Sequence, residues 1–527
     1  MVSRCMTRLL GVAGAILLVS CGGGGGGSTP APSGSGATGF AALPPAATLA
    51  QHCAAPRSGR DAVTGQTYTD VQGSLLDEQN WLASWTNDTY LWYSEVPYPS
   101  PASYSDTLSY FNVLKTTAKD GSGALKDKFH FTYPTATWEA LATTGVQASY
   151  GFTVSLISAS PPRSAVVAYT DPNTAATNLS VPIARGATIL KVDGVDLVND
   201  STQSGVNTLN AGLFPNTAGE SHSFVIQDLG ASSPRTVTLV SGNYASAPVQ
   251  NVKTLAGGSV GYLLFNDHLA TAEPALINAV NQLKSAGVSD LVIDIRYNGG
   301  GYLDIASELA YMVAGPAQTS GKTFDMLAFN DKHPTIDPIA LTPITPTPFY
   351  NTAVGFGFTP AGTVLPHLDL KRVFVLTGSG TCSASEAVMN GLRGVGVQVV
   401  QVGSTTCGKP YGFYPAENCG TTYFSIQFKG VNAQGFGDYA DGFAPQNGAI
   451  TGLATGAVLP GCSIGDDYSH ALGDPAEARL AAALQYRNTA SCSALTGSTH
   501  LNLLHTQPNR DGQVFKNPFV SNLIVRH

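Results

Sequence analysis

The strongest constraint on the fold is an alternation of short apolar runs with amphipathic segments in the second half of the chain. The predicted strands are Val260–Phe265, Leu291–Ile295, Val373–Leu376 and Val397–Val402. The predicted helices between them are Glu273–Ser285, Asp304–Val313 and Ala384–Leu392. Alternation of this kind is typical of a sheet covered by helices. We therefore predict a core of this class over residues 255–490, and we assign no structure to the tail 491–527.

Composition excludes several classes of protein. Charged residues make up 12% of the 527 positions, against about 25% in ordinary soluble domains. Apolar residues make up 43%, which is too high a fraction for an intrinsically disordered chain. The formal net charge is −8, and a nucleic-acid partner would require a clustered basic excess instead. A charge-poor chain rich in Gly, Ser, Thr and Asn favours an exported protein.

The first residues have the features of an export signal. Arg4 and Arg8 precede the apolar run Leu9–Val19, which is shorter than the ~20 residues that a membrane span needs. The run ends in a Leu-Val-Ser-Cys sequence that is similar to the lipobox of bacterial lipoproteins. This resemblance implies cleavage after a signal peptide, residues 1–20, and lipidation of Cys21. An ordinary secretory signal with a chance cysteine is the alternative.

The segment after the cysteine is predicted to be a tether. Residues 21–50 contain six consecutive glycines and then a Ser/Pro/Gly/Ala-rich stretch, a composition typical of flexible linkers. Gly22 stands where inner-membrane lipoproteins carry aspartate, so the resemblance favours anchoring at the outer membrane of a bacterial envelope. The protein would face the periplasm or the cell surface. The membrane would be a partner only through the lipid on Cys21.

Six cysteines remain after Cys5 and the candidate lipidation site are set aside. They are Cys53, Cys382, Cys407, Cys419, Cys462 and Cys492. An even number in an exported chain indicates up to three disulfides, with 15 possible connectivities. The short separation makes Cys407–Cys419 the local guess for one bridge. No Cys-x-x-Cys or paired-histidine spacing is present, so neither a metal site nor another cofactor is predicted.

Two further regions precede the core. Residues 70–144 contain two segments with helical spacing, Leu75–Asp88 and Thr107–Thr116. We interpret the region as a small helical subdomain that buries its aromatic residues, with a substrate-contacting surface as the alternative. Residues 145–245 consist of short β-rich runs.

The β-rich region resembles a PDZ domain. A glycine-containing loop, Tyr150-Gly151-Phe152, precedes a strand, and a Leu-x-Val-Asp-Gly turn follows at residues 190–194. PDZ domains bind a peptide C-terminus by strand addition, and loop amides hold the carboxylate. The resemblance therefore implies a peptide-binding role for Tyr150, Gly151 and Phe152. The usual Gly-Asp of the family is here Gly186-Ala187, and an unrelated small β-domain is the alternative.

Three ordered motifs in the core carry candidate chemistry. The first is the run 294–301, Asp-Ile-Arg-Tyr-Asn-Gly-Gly-Gly, whose glycines allow backbone amides to approach a ligand. The second, residues 381–386, places Ser383 at a strand-to-helix turn, where the next amide can stabilise an oxyanion. Ser383 with Glu386 also fits a simple capping box.

The third motif, residues 403–409, places Lys409 after the next predicted strand. A lysine can act as a general base for a serine if burial lowers its pKa from about 10.4 toward 7 or 8. A lone loop lysine is more often a solvated surface charge.

Together, the three motifs behind a PDZ-like segment resemble the carboxyl-terminal processing peptidases (tail-specific proteases) of serine–lysine type. This resemblance implies a multidomain α+β protein whose peptidase core has a crotonase/ClpP-like sheet with covering helices. It also implies Ser383 as nucleophile, Lys409 as general base, and Gly301 (or Gly300) with Ala384 as the oxyanion hole. The similarity extends over about residues 75–484 and includes the late loop 438–445, Asp-Tyr-Ala-Asp-Gly-Phe-Ala-Pro.

Two positions depart from the family pattern. A glutamine that often follows the lysine by four residues is replaced by Phe413. The Asp-x-Tyr-Ser segment expected ahead of the PDZ region is here Asp127-Lys128-Phe129-His130. Because some relatives use a histidine there as the base, His130 is an alternative to Lys409.

The sequence thus predicts a lipid-anchored serine endopeptidase that recognises C-terminal or unstructured tails of exported proteins. Its partners would be protein or peptide substrates, with no nucleic acid. One alternative is a catalytically inactive, peptidase-like PDZ scaffold, which the missing glutamine keeps open. Another is a glycan-binding lipoprotein, suggested by the early tryptophans. The substrate and the oligomeric state stay open.

Overall fold

A computed structural model describes residues 43–120, 123–449, 452–492, 511–515 and 523–524. The chain divides into two compact units. The smaller unit covers residues 147–246, and the larger unit is formed by the described residues before and after it. The predicted helical region 70–144 thus lies in the same compact unit as the core. Among the described residues, no helix has the length and apolar character needed to cross a membrane.

The larger unit is built on a six-stranded sheet. In spatial order its strands are Val249–Leu255, Val260–Phe265, Asp290–Asp294, Arg372–Thr377, Gln398–Gly403 and Gly461–Cys462. The first pair is antiparallel and all the other pairs are parallel. Its central strands are almost completely buried, as continuous apolar runs in parallel sheets usually are. The four strands predicted in the core are all present, within one residue of the predicted bounds.

The helices of this unit lie over the sheet and in its N-terminal extension, which is formed by the described residues before the smaller unit, 43–120 and 123–146. They are Ala46–Leu49, Leu75–Thr89, Thr107–Phe111, Thr135–Thr144, Ala272–Ser285, Leu303–Ala314, Pro316–Thr319, Ala384–Gly394 and Ala478–Thr489. Leu75–Thr89 begins with a capping box between Ser74 and Asp77, which satisfies free amides of its first turn. Leu303–Ala314 is buried along nearly its whole length and packs against Ala384–Gly394. It ends at Gly315 (φ 70°), and Pro316 follows.

The larger unit contains a second six-stranded sheet. Two of its strands, Gly301–Tyr302 and Tyr411–Phe413, come shortly after strands of the first sheet in sequence. Its order is Gly301–Tyr302, Leu523–Ile524, Tyr411–Phe413, Phe428–Val431, Thr323–Ala328 and Thr347–Pro348. This unit also has a three-stranded sheet, made of Ala416–Asn418, Thr421–Phe424 and Phe131–Pro134. Two pairs of short strands complete it: His52–Cys53 with Val71–Gln72, and Ala444–Pro445 with Val458–Leu459. The strand Gln513–Phe515 is also formed.

The smaller unit is a twisted antiparallel sheet with one helix. Its strands run in the order Arg235–Val240, Ser221–Gln227, Thr188–Val192, Ser164–Thr170 and Phe152–Ser158. Val195–Asp196 pairs with Thr188–Val192, and the helix is Gln203–Leu213. The remaining strands are Val146–Ser149 and Gly242–Ala245.

The disulfides correct one prediction. Cys53 pairs with Cys419, Cys382 with Cys407, and Cys462 with Cys492. The predicted Cys407–Cys419 bridge was wrong because proximity in sequence does not decide which Cα atoms meet within bonding reach. Cys419 lies between two strands of the sheet that includes Phe131–Pro134 of the N-terminal extension. Next to it, Gln51 N–H donates to Asn418 Oδ1 at 2.7 Å.

Candidate active site

Ser383 lies where the third parallel strand of the main sheet, Arg372–Thr377, turns into the helix Ala384–Gly394. Its backbone has φ 61° and ψ −115°, a strained conformation for a residue that carries a side chain. The side chain is 1% exposed, and its hydroxyl forms no hydrogen bond among the described residues. A buried hydroxyl without a partner is costly. Ser383 and Glu386 form the predicted capping box, in which Ser383 N–H donates to Glu386 Oε2 at 2.9 Å.

The glycine run lies directly against this serine. A Cβ placed on Gly300 (φ 109°) would lie 2.9 Å from Ser383 Cβ and 3.0 Å from the amide nitrogen of Ala384. A Cβ on Gly301 (φ 130°) would lie 2.4 Å from the carbonyl oxygen of His268. Both positions therefore need bare backbone for steric and conformational reasons. Gly300 N–H donates to Asn298 Oδ1 at 3.0 Å, so this amide is already engaged.

Asn298 fixes the glycine run to the serine turn. Its carbonyl oxygen accepts from Cys382 N–H at 3.1 Å and from Ser385 Oγ at 3.0 Å. Its side-chain amide donates to Phe265 O at 3.0 Å. Asn298 Oδ1 also lies 3.0 Å from Nδ1 of His268. Burial lowers the pKa of His268 to about 3, so the imidazole is neutral at working pH.

Lys409 is completely buried, which contradicts the view of it as a solvated surface charge. Its ammonium nitrogen lies 4.5 Å from the ring centre of Phe413 and 4.8 Å from that of Phe129. Burial lowers the pKa of Lys409 well below its ordinary value, and the nearby charges of Asp127 and Glu386 oppose this shift. Phe413, the residue at the expected glutamine position, thus helps to exclude water from the amine.

Glu386 links the serine turn to the lysine loop. In addition to Ser383 N–H, its carboxylate accepts from Lys409 N–H at 2.8 Å, from Gly408 N–H at 2.9 Å and from the Thr406 hydroxyl. Burial raises the pKa of Glu386, and hydrogen bonds from Thr406 and from the amides of Lys409, Ser383 and Gly408 oppose this shift. The sequence indicated Glu386 only as a helix cap, whereas here it positions both candidate catalytic segments.

The Cys382–Cys407 disulfide makes a second link between the same segments, and Cys407 N–H donates to Thr381 O at 2.9 Å. Cys382 directly precedes the serine, and Cys407 lies two residues before the lysine. Cys382, Glu386 and Cys407 are also close enough to hold a metal ion, but the two sulfur atoms are bonded to each other. The loop 438–445 packs directly against the lysine loop, since a Cβ on Gly408 (φ 78°) would lie 2.0 Å from Ala440 O.

The segment around His130 supplies packing. His130 stacks on Phe111 at 3.7 Å between ring centres, and its Nε2 lies 2.9 Å from Phe111 O. The buried Asp127 accepts from Tyr90 Oη at 2.6 Å and lies 3.6 Å from His130 Nδ1. Phe129, between these two residues, faces Lys409. Among the described residues, no hydrogen bond joins His130 to Ser383.

Arg296, from the first motif, has a scaffold role. It is fully buried and forms ion pairs with Asp294, Glu477 and Asp466 at 2.7–2.9 Å. These contacts join the strand before the glycine run to the last long helix and the loop ahead of it.

The predicted peptide loop belongs to the smaller unit. Tyr150 is buried against Phe224, with ring centres 5.3 Å apart, and stacks on Phe152. Gly151 has φ 82°, and a Cβ there would lie 2.1 Å from the Thr174 side chain. This loop therefore requires glycine. The predicted lipidation site Cys21 lies outside the described residues.

Comparisons with known proteins match part of the chain to a peptidase family. Residues 259–413 match Peptidase family S41, a range that includes Gly301, Ser383 and Lys409. A carboxyl-terminal-processing protease of Picosynechococcus sp. (strain ATCC 27264 / PCC 7002 / PR-6) is 29% identical over 123 residues. That alignment covers 23% of this chain and 28% of the relative, so the chain matches about a quarter of the relative's length.

One solved structure shows a fold shared with this chain. A putative S41 protease from Bacteroides fragilis NCTC 9343 superposes with a TM-score of 0.57 at 21% identity, covering 81% of this chain and 99% of that one. The photosystem II D1 C-terminal processing protease gives a lower TM-score of 0.41 at 18% identity, covering 71% and 92%. Residues 259–413 are thus similar to Peptidase family S41 in sequence, and the chain shares the mixed α/β fold of the S41 protease structure.

Proposed function

We propose that this protein is an exported, lipid-anchored serine endopeptidase that cleaves exported proteins near C-terminal or unstructured tails. Ser383 is the nucleophile and Lys409 the general base. The amides of Gly301 and Ala384 form the oxyanion hole, since the Gly300 amide is engaged by Asn298. The smaller unit binds the substrate tail through Tyr150, Gly151 and Phe152, and Cys21 carries the lipid. The protein therefore acts at the bacterial outer membrane, facing the periplasm or the cell surface.

The observation that carries this proposal is the state of Ser383. Within the part of the chain that the structure describes, its hydroxyl has no hydrogen-bond partner, although it is buried at a strained turn. Strain and an unsatisfied polar group are stability costs that persist mainly where function needs them. A lysine whose burial lowers its pKa lies on the loop that Glu386 and the disulfide tie to this turn.

The chemistry follows from these groups. The neutral amine of Lys409 takes the Ser383 proton as Oγ attacks the scissile carbonyl carbon. The amides of Gly301 and Ala384 stabilise the oxyanion that forms. The ammonium then returns the proton to the leaving amine, the C–N bond breaks, and an acyl-enzyme remains. Water, deprotonated by the same lysine, hydrolyses the ester and restores Ser383.

The assay that tests the function uses the chain without residues 1–40 and an unfolded protein of known sequence. We expect peptide-bond cleavage, identified by product masses, with little cleavage of the same protein in its folded state. Binding of the unfolded protein without any cleavage would contradict the proposal and support the inactive scaffold instead.

Gly300→Ala is expected to lower kcat/KM at least ~100-fold, because the added Cβ displaces Ser383 or Ala384 by several tenths of an ångström. Gly321→Ala is the matched control: Gly321 also has a positive φ (67°), but a Cβ there meets nothing within 4 Å. The control should lose about 1 kcal/mol of stability and keep its activity. Equal activity of the two variants would contradict the close packing of Gly300 on the serine turn.

Glu386→Gln is expected to lower the free energy of unfolding by about 2–4 kcal/mol, because the new amide places a donor against donors. Activity should fall at least ~10-fold. Glu308→Gln is the control, since burial raises the pKa of Glu308 and the neighbouring Glu273 adds to this shift, so a neutral amide replaces a carboxyl that already disfavours its charge. Urea unfolding and peptidase assays measure both effects. Similar stability losses in the two variants would show that Glu386 is an ordinary buried acid.

A further inference from the structure

The second sheet contains a strand that arrives from a distant part of the chain. Leu523–Ile524 lies between Gly301–Tyr302 and Tyr411–Phe413, and these two flanking strands are not neighbours of each other. Leu523 is in register with Gly301 on one side and with Gly412 on the other. Ile524 is in register with Tyr302 and Phe413, and both pairings are parallel.

Both flanking strands belong to the candidate active site. Gly301 is the proposed oxyanion residue, and Tyr411–Phe413 begins two residues after Lys409. An extended peptide in the gap between them would pass beside the oxyanion hole and the lysine loop. Recognition by strand addition uses backbone hydrogen bonds and therefore accepts many sequences, provided that the peptide is unfolded.

We propose that this gap is the binding cleft for an extended substrate peptide, parallel to both flanking strands, and that the chain's own Leu523–Ile524 strand occupies it in competition with substrate. The inference rests on the proposed function for its kinetic consequences. A strand edge offers one set of backbone donors and acceptors, so substrate cannot pair with Gly301–Tyr302 or Tyr411–Phe413 until Leu523–Ile524 leaves. The burial of Ser383 and Lys409, 1% and 0% exposed, agrees with an occupied site.

A second contact holds the same tail to the larger unit. Asp511 forms an ion pair with the buried Arg479. Its carboxylate also accepts from the amides of Ser379 and Asp466, each at 3.3 Å. Ser379 lies four residues before Ser383, so the anchor is on the same loop as the nucleophile. Residues 511 and 523–524 thus dock at two points of one site, which raises the effective concentration of the strand.

The first test disrupts the strand in the full-length chain. The double variant Leu523→Pro/Ile524→Pro removes two backbone donors and prevents ladder pairing. We expect kcat/KM for an unfolded substrate to rise at least ~5-fold, mostly through a lower KM, and acylation of Ser383 to accelerate similarly. A second variant that ends after Arg510 removes both contacts and should be activated at least as much. Activity and acylation equal to wild type in both variants would overturn the proposal.

The second test does not depend on catalysis. A fluorescent peptide of residues 516–527 is added to the variant that ends after Arg510 and to the full chain, both carrying Ser383→Ala. We expect binding at least ~10-fold tighter to the shortened chain, and none by the same peptide with prolines at positions 523 and 524. Equal binding to both chains, or none, would overturn cleft occupancy. Selective binding in these chains, together with no cleavage of unfolded protein by the chain that keeps Ser383, would support the cleft while refuting the proposed peptidase activity.

Discussion

Replacing Lys409 with methionine is expected to reduce kcat/KM at least ~10³-fold while leaving the protein as stable or more stable. Methionine is unbranched and one atom shorter than lysine, so it keeps most of the packing of the side chain between Phe129 and Phe413. It removes the general base, whose loss typically costs 10²–10⁴-fold or more. It also removes a desolvated amine. Peptidase assays and urea unfolding of the same preparation measure the two effects.

The lowered pKa of Lys409 also predicts how stability and kcat/KM change with pH. Because burial lowers the pKa of Lys409 in the folded protein, the unfolded chain binds one more proton between that pKa and about 10.4. Wild-type stability therefore rises with pH across this window, and the Lys409→Met variant should lack that part of the slope. Wild-type kcat/KM should rise with pH as the amine loses its proton. His130→Asn should keep this profile, and its loss there would identify His130 as the base.

Ser383→Ala is expected to abolish turnover, with a fall in kcat of at least ~10⁴-fold, because the proposed acyl-enzyme forms on the Ser383 hydroxyl that this variant lacks. The Ser383 hydroxyl makes no hydrogen bond to any other described residue. The free energy of unfolding should therefore stay within about 1 kcal/mol of wild type or increase. Binding of unfolded substrate should persist.

Ser385→Ala is the matched control, two positions along the same turn. Its hydroxyl donates to Asn298 O at 3.0 Å, so its loss should cost about 1 kcal/mol of stability. Activity should fall far less than in Ser383→Ala. If the two variants lost activity equally, the effect would be structural and the nucleophile would be assigned wrongly.

Local patterns predicted the core well because its elements are long, apolar and strongly periodic. The strand Val260–Phe265 has the predicted bounds, and the helices Ala272–Ser285, Leu303–Ala314 and Ala384–Gly394 differ from prediction by two residues or fewer. A buried parallel strand needs a continuous apolar run, and a covering helix needs one apolar face. These requirements are visible in sequence.

Other features depend on contacts between distant residues. The Cys382–Cys407 bridge exists because the serine turn and the lysine loop meet at adjacent strand ends, which no cysteine spacing encodes. Asp127 and Phe129 reach Lys409 from the N-terminal extension, more than 270 residues away in sequence. The two-residue strand Leu523–Ile524 has no periodicity to detect, and only its neighbours make it a strand. The position of Glu386 three residues after Ser383 was visible in the sequence, but it was interpreted only as a helix-capping pattern.

The central claim is that Ser383 is a nucleophile activated by a neutral Lys409. The most direct measurement is intact-mass and peptide-level detection of covalent labelling by a serine-directed acylating probe, for wild type, Lys409→Met and Ser383→Ala. We predict one label on wild type, located at Ser383, a labelling rate at least ~10²-fold lower in Lys409→Met, and none in Ser383→Ala. Labelling at another serine, or equal rates in wild type and Lys409→Met, would contradict the assignment.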